Sequence, residues 1–351
     1  MKRFNGLIVI LVLLIFTHRS GAASLVNNQT DSYKNNKHAL SLSSAKIKKV
    51  GGIHSIGLVN MSNGMVLPAG KFVANVKYRY IHKDALYHGH TKQNGSYGGK
   101  YDRINQLFQF TAKAGLFKNV EARVMIPYWK KEVKRKPSNL SHPWDTDSNS
   151  GLGDVVVMGR YALMTQRGGD WLNLAIGAGL KLPTGEAGRK NGLPFSRRYQ
   201  YLGPSAQLGT GSWDPKFEIG ATKMFGRSRV DAHMMYTIAN NGAHGSKQGN
   251  QFKYDLGYGY ALNRHFDLEL ELNGIDKHRD THAGVTDDAT GGQTLFITPG
   301  IHFKYNKMNL ALGIPVVIYR DINGTSATPE RNSRYGLGEK FQVITRFGIT
   351  F

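Results

Sequence analysis

The sequence predicts an all-β protein: a transmembrane antiparallel up-and-down β-barrel of about 12 strands, with short periplasmic turns and long extracellular loops. Three observations lead there. Segments of about ten residues with alternating apolarity recur from Lys71 to the C-terminus, the period-two signature of strands with one apolar and one polar face. The connections between them alternate short and long. The chain also opens with an export signal.

Residues 1–23 read as that signal. Lys2 and Arg3 supply the positive start, Leu7 to Phe16 the apolar core, and SGAAS the small residues for cleavage after Ala22 or Ala23. A spanning helix needs about 20 apolar residues, and this core is too short for one. Residues 24–70 read as a periplasmic N-terminal segment. Its first part is polar and flexible in character, and residues 51–69 are mildly apolar, a candidate plug. The barrel is expected over 71–351.

Composition narrows the function classes. The chain of 351 residues has no cysteine, which excludes disulfides, thiolate metal sites, a cysteine nucleophile and lipid anchoring through an N-terminal Cys. Without Lys2, Arg3 and Arg19 the balance is 43 Lys and Arg against 24 Asp and Glu, a net charge of +19. Such a balance often signals nucleic acid. Export directs it instead to an anionic membrane surface, lipopolysaccharide phosphates or an acidic solute. No nucleic-acid partner is expected.

The first strand is KFVANVKYRY from Lys71, followed by Leu107–Leu116, Asn119–Trp129, Gly153–Leu163 and Trp171–Leu182. The sixth covers roughly 206–225, where parity breaks around GTGSWDP and a bulge, kink or hidden turn is expected. Arg229–Ala239, Gln251–Leu262, His265–Ile275, Gln293–Tyr305 and Met308–Tyr319 follow, and Phe341–Phe351 closes the set. Each is long enough for a tilted transmembrane strand. The long connections, about 83–104, 130–152, 183–205, 240–250, 276–292 and 320–340, alternate with turns such as FKN, GRS, NR and NK. That split puts both termini on the periplasmic side.

The polar faces supply the expected lumen lining. The first three strands carry Lys77, Arg79, Lys113, Glu121 and Arg123. Asp154, Arg160, Lys181, Asp231 and His233 come next, then Lys253, Asp255, Asp267, Glu269 and Glu271. His302, Lys304 and Arg346 complete the set. Both signs are present, so neighbouring strands can pair them across the lumen. The opposite faces hold almost only apolar and aromatic residues, with Tyr78, Tyr80, Tyr128, Tyr305 and Phe351 placed for an aromatic girdle.

No motif for catalysis stands out: HExxH, GxSxG and a phosphate loop are all missing. The protein is not read as an enzyme and no cofactor is expected. His82, His88, His90, His142, His244, His278 and His282 are spread over expected loops, without a dense ligand run, so no metal site is assigned. His233 is the strand-borne candidate for a lipid hydrolase, but no Ser stands at an obvious partner position, and a structural lumen histidine is the better reading. Two basic stretches are candidate anion-binding loops: Lys130, Lys131, Lys134, Arg135 and Lys136, and Arg189, Lys190, Arg197 and Arg198.

Several phrases together are fairly specific. SGLGDVVVMGRYAL, AIGAGLKLPTGEAG, AQLGTGSWDPKFEIGATKMFG, ITPGIHFKYNKMNLALGIPVVIYRDING and the terminal Phe351 resemble the transporter-like outer-membrane barrels grouped as the meta-pathway phenol-degradation family. The resemblance covers about residues 52–351. It implies a Gram-negative outer-membrane barrel for passage of a small solute, aromatic or apolar in kind, with outer-membrane lipid, lipopolysaccharide and the outer-membrane insertion machinery as partners. The alternatives are a non-transporting structural or surface-interaction barrel, a lipid-acting barrel enzyme, and a soluble periplasmic β-protein.

Overall fold

A computed structural model describes residues 57–92, 100–136, 145–190, 201–202, 204–288, 290–323 and 336–351. The signal-peptide reading of 1–23 and most of the segment before the barrel lie outside the described residues. Unit Ile53–Phe351 is compact on its own.

Twelve strands, in chain order, form one antiparallel sheet. They are β1 (Phe72–His88), β2 (Lys100–Phe117), β3 (Val120–Lys136), β4 in two pieces (Asp145–Leu152 and Val156–Met164) and β5 (Asn173–Lys181). Next come β6 (Asp214–Phe225), β7 (Ser228–Thr237), β8 (Gln251–Ala261) and β9 (Phe266–Lys277). The last are β10 (Gly292–Tyr305), β11 in two pieces (Met308–Gly313 and Val316–Ile322) and β12 (Gly336–Thr350). Each strand pairs with its chain neighbour, and β12 pairs with β1, so the sheet closes on itself. At that closure Val73 faces Thr350 and Lys77 faces Arg346. Phe351 donates its N–H to Phe72 O at 2.8 Å, and the two rings lie 5.7 Å apart.

The alternation of apolarity decides which way each side chain points. Phe72, Val76, Phe108, Phe110, Val124, Leu268, Leu270, Leu310 and Phe347 are exposed on the outer wall. Arg160, Glu121, Glu271, Asp231 and Arg346 are buried inside. This inversion of a soluble core suits a barrel whose outside meets hydrocarbon. Phe117, Trp171, Phe225, Tyr305 and Phe351 ring the turn-side rim, all exposed. Among the described residues no helix is long and apolar enough to cross a membrane, which says nothing of crossing by strands.

The short turns are tight. Asn119, Gly226 and Asn306 sit at positive φ in the connections after β2, β6 and β10, the conformation that two-residue hairpins demand.

Three expectations are corrected. The sixth segment is one strand, and it begins only at Asp214. Residues 206–213 are an inward loop, with Gln207, Leu208 and Ser212 buried. The strands on one side are longer than the apolar pattern suggested. β1, β2 and β3 have 17, 18 and 17 residues, whereas β5 has 9. Their outer ends continue as a polar ribbon, so the basic run from Lys130 lies on β3 rather than in a loop. Lastly, β4 and β11 are interrupted. The outer piece of β11 pairs with β10 but forms no ladder with β12 among the described residues, where Arg320 Nη2 reaches Glu339 O at 2.8 Å.

Candidate functional site

The interior of the turn-side half is occupied by residues 57–69, which have no regular structure of their own. A segment without helix or strand must find partners for its backbone polar groups elsewhere. Here the strand side chains supply them. Val59 N–H and Asn60 N–H donate to Glu269 (3.2 Å) and Glu271 (2.9 Å) on β9. Gly64 N–H donates to Thr222 on β6 and Leu67 N–H to Glu121 on β3. In the opposite sense Arg346 donates to Gly57 O and Leu58 O, Lys253 to Asn60 O, and Arg160 to Met65 O and Asn63 O. The Asn60 side chain bridges Arg79 and Asn273.

Leu58, Val59, Met61 and Leu67 of the segment are buried as well. Val59, Ala311 and Ile344 form one fully buried cluster. Strand glycines make room for the segment. A Cβ on Gly115 would meet Pro68 O, one on Gly220 would meet Asn63 O, and one on Gly313 would meet Val59. None of these three has a positive φ, so space and not backbone conformation explains them.

Around the segment the lumen charges pair both along and across strands. Arg160 Nε lies 2.5 Å from Glu218, which Arg123 approaches at 3.6 Å. Arg123 also bonds Glu121. His233 lies between Glu218 (3.3 Å) and Asp255 (3.0 Å), and Lys253 adds a contact to Asp255. Arg229 pairs with Asp231, Lys181 with Asp154 and Asp214, Lys304 with Asp267, and His302 with Glu269.

All eighteen residues read from the sequence as lumen-lining are inward or buried, and most join this network. Asp154 is placed differently from the rest. It sits in the break of β4 and accepts from Gly185 N–H and Thr210 N–H, holding two loops. The sequence reading missed Glu218, Asp214, Arg229, Thr222 and Asn273. Arg229 and Glu218 share the parity of Asp231 and Lys216, so extending the alternation by one rung would have found them. Ile344 carried the opposite signal, an apolar residue on the polar face.

The basic stretches do not gather into one surface. Strand alternation sends Lys131 inward to Ser205 O at 3.1 Å, while Lys130 is exposed. Lys134 pairs with Glu132 at 2.9 Å. Arg135 and Lys136 hold strand positions opposite Tyr101 and Lys100. Arg189 donates to Ser148 O at 2.8 Å and Lys190 bridges Tyr201. Arg197 and Arg198, like His142, lie outside the described residues. Among the described residues no group of three or more His, Asp and Glu is placed to hold a metal ion. His90 Nδ1 donates to Arg320 O, His82 Nε2 donates to Asp102, and His244 stacks on Tyr201.

Comparison with known proteins follows the same lines. The COG4313 outer membrane channel from Pseudomonas putida F1 matches with a TM-score of 0.59 at 17% identity, over 84% of this chain and 100% of that one. It shares the barrel fold. A Pseudomonas aeruginosa FadL homologue (TM-score 0.41, 9% identity, 85% and 94% covered) and the CymD monoaromatic hydrocarbon channel (0.38, 8%, 81% and 88%) also match, too distantly to add to it. No curated protein matches. Residues 89–327, more than half of the chain, match the family described as "Putative MetA-pathway of phenol degradation", and the chain, an outer-membrane-type barrel of twelve strands, belongs to that family.

Proposed function

We propose that the protein is an outer-membrane channel for a small solute and that residues 57–69 are its plug, closing the turn-side half. The observation that carries this is the chemistry of the seat. The segment buries Leu58, Val59, Met61 and Leu67, and its backbone is held by hydrogen bonds to and from strand side chains. Water can replace such bonds, so each is worth only about 0.5–1.5 kcal/mol net, rising to about 3 with charged partners. The segment shares no strand ladder with the wall, so it can leave without breaking the barrel sheet.

The solute class proposed from the family is small and aromatic or apolar. One observation favours a sideways exit for an apolar solute. Where the outer piece of β11 has no ladder to β12 among the described residues, the outer wall shows Ile314, Val316, Ile318 and Phe341, all exposed. Catalysis is not assigned, because His233 is enclosed by two carboxylates and the reading requires no chemistry of it.

Deletion of residues 57–69 in the full protein tests the reading. Single-channel conductance in planar bilayers should rise from a closed baseline to a stable open level. An inserted, heat-modifiable variant that stays silent across voltage and solutes would instead favour a structural barrel.

A further inference from the structure

The lumen charges around the plug are not evenly compensated. On the β7–β9 side the carboxylates mostly have basic partners: Asp231 has Arg229, Asp255 has Lys253 and His233, Asp267 has Lys304, and Glu269 has His302. The wall made by β12, β1 and β2 differs. Lys77 faces Arg346 directly in the ladder, Arg79 is two residues along β1, and Lys113 lies beside Val73 on the same inward face. Among the described residues none of these four basic groups forms an ion pair, and Lys77 and Lys113 have no hydrogen-bond partner, although Glu121, Glu269 and Glu271 act on them from further off. Arg346 is 7% exposed, and its Nε and that of Arg79 are buried without a partner.

The plug's oxygens occupy this wall. Arg346 Nη1 reaches Leu58 O at 3.0 Å and Nη2 reaches Gly57 O at 2.5 Å. Arg79 reaches the Asn60 amide oxygen. Two oxygens held side by side on one guanidinium fork is the arrangement in which arginine holds a carboxylate. Neutral carbonyls are weaker acceptors than a charged carboxylate, so the two guanidinium groups here meet poor direct ligands and the two amines none.

We infer that Arg346, Arg79, Lys77 and Lys113 form a carboxylate-binding site in the channel interior, and that the plug occupies it as an internal stand-in. The solute class is then a small monocarboxylate. A carboxylate solute competes with residues 57–60 for the guanidinium fork, which couples its binding to plug release. This deepens the channel reading above and rests on it for the consequence, though not for the site.

The test uses full-length protein and the variant lacking residues 57–69. Binding of benzoate, with benzylamine and benzyl alcohol as cationic and neutral controls, is measured by calorimetry on purified folded barrel. Benzoate should bind the plug-deleted barrel, should bind the intact protein more weakly, and should exceed both controls. Lys77→Gln combined with Lys113→Gln, two side chains without partners to orphan, should weaken benzoate by about tenfold or more. Lys223→Gln, on the outer wall over Trp171, should change nothing. Equal affinity for benzylamine, or benzoate binding untouched by the double substitution, would overturn the site. Bilayer recordings separate this from the channel reading. Conductance without anion preference sinks the carboxylate site alone, and benzoate binding to a barrel that never conducts sinks the channel alone.

Discussion

Val59 packs against Gly313 so closely that a Cβ built on the glycine would lie 2.4 Å from Val59 Cγ1 and 3.6 Å from its Cβ. That Cβ separation falls within the range spanned by disulfides. Since the chain has no cysteine of its own, Val59→Cys with Gly313→Cys would form a single defined cross-link between plug and wall. Oxidised, the double variant should be held at the closed baseline. Reduced, it should regain whatever opening the unmodified protein shows in bilayers. Conductance identical in the two redox states would mean that the plug does not need to move.

Gly220 gives the converse experiment. The three heavy atoms nearest a Cβ placed there all belong to the plug: Asn63 O at 2.5 Å, Asn63 C at 2.8 Å and Gly64 N at 3.2 Å. These are backbone atoms and cannot swing aside as a side-chain tip would. Gly220 itself lies within β6 at an ordinary strand conformation, where a β-branched residue is welcome. Gly220→Val should therefore evict residues 57–69 while leaving the barrel heat-modifiable. Limited proteolysis should newly cut the segment, and conductance should approach that of the deletion variant. A protected segment in a folded Gly220→Val protein would show that the seat yields instead.

What the sequence could reveal of this arrangement depended on whether the signal was periodic. Phe72, Val76, Phe347 and their kind repeat every two residues, so outer wall, strand count and the pairing of β12 with β1 could be read from the chain. The lumen charges of the regular strands came with them. The plug's seat could not, because its hydrogen bonds join residues such as Val59 and Glu269, which lie far apart in sequence and follow no repeat. The seat glycines were equally silent. Gly115, Gly220 and Gly313 look like ordinary weak points of strands until the atoms facing them are known. The outer extensions of β1 to β3 escaped notice for another reason: above the membrane the wall needs no apolar face, so the alternation stops while the ladder continues.

Arg160 is one of the fully buried large charged side chains and serves wall and plug together. Its Nε lies 2.5 Å from Glu218, Nη1 donates to Met65 O at 2.8 Å, and the side chain is fully buried. Arg160→Met would leave Glu218 and Glu121 short of a cation in a region of low dielectric. Breaking a buried pair from one side costs about 3–5 kcal/mol. Urea unfolding in lipid vesicles, followed by tryptophan fluorescence, should show a loss of that order. Arg160→Met with Glu218→Gln should recover part of it. A loss under about 1 kcal/mol would indicate that water already solvates the network, given typical exposed pairs.

The terminal Phe351 separates assembly from stability. Its ring meets Phe72 at 5.7 Å, and its N–H closes the last rung to Phe72 O. Yet the residue is 55% exposed on the turn-side rim. A half-exposed aromatic contact contributes only about 0.5–1.5 kcal/mol, too little to decide whether twelve paired strands stay folded. If the insertion machinery reads this residue, deletion of Phe351 should lower the amount of barrel in the outer membrane severalfold. The protein that does insert should keep nearly the same unfolding midpoint. Phe351→Tyr, which retains a ring at the rim, should restore most of the level, and Phe351→Ser should not. Membrane levels unchanged by the deletion would remove the assembly role and leave Phe351 as one more member of the lower aromatic girdle.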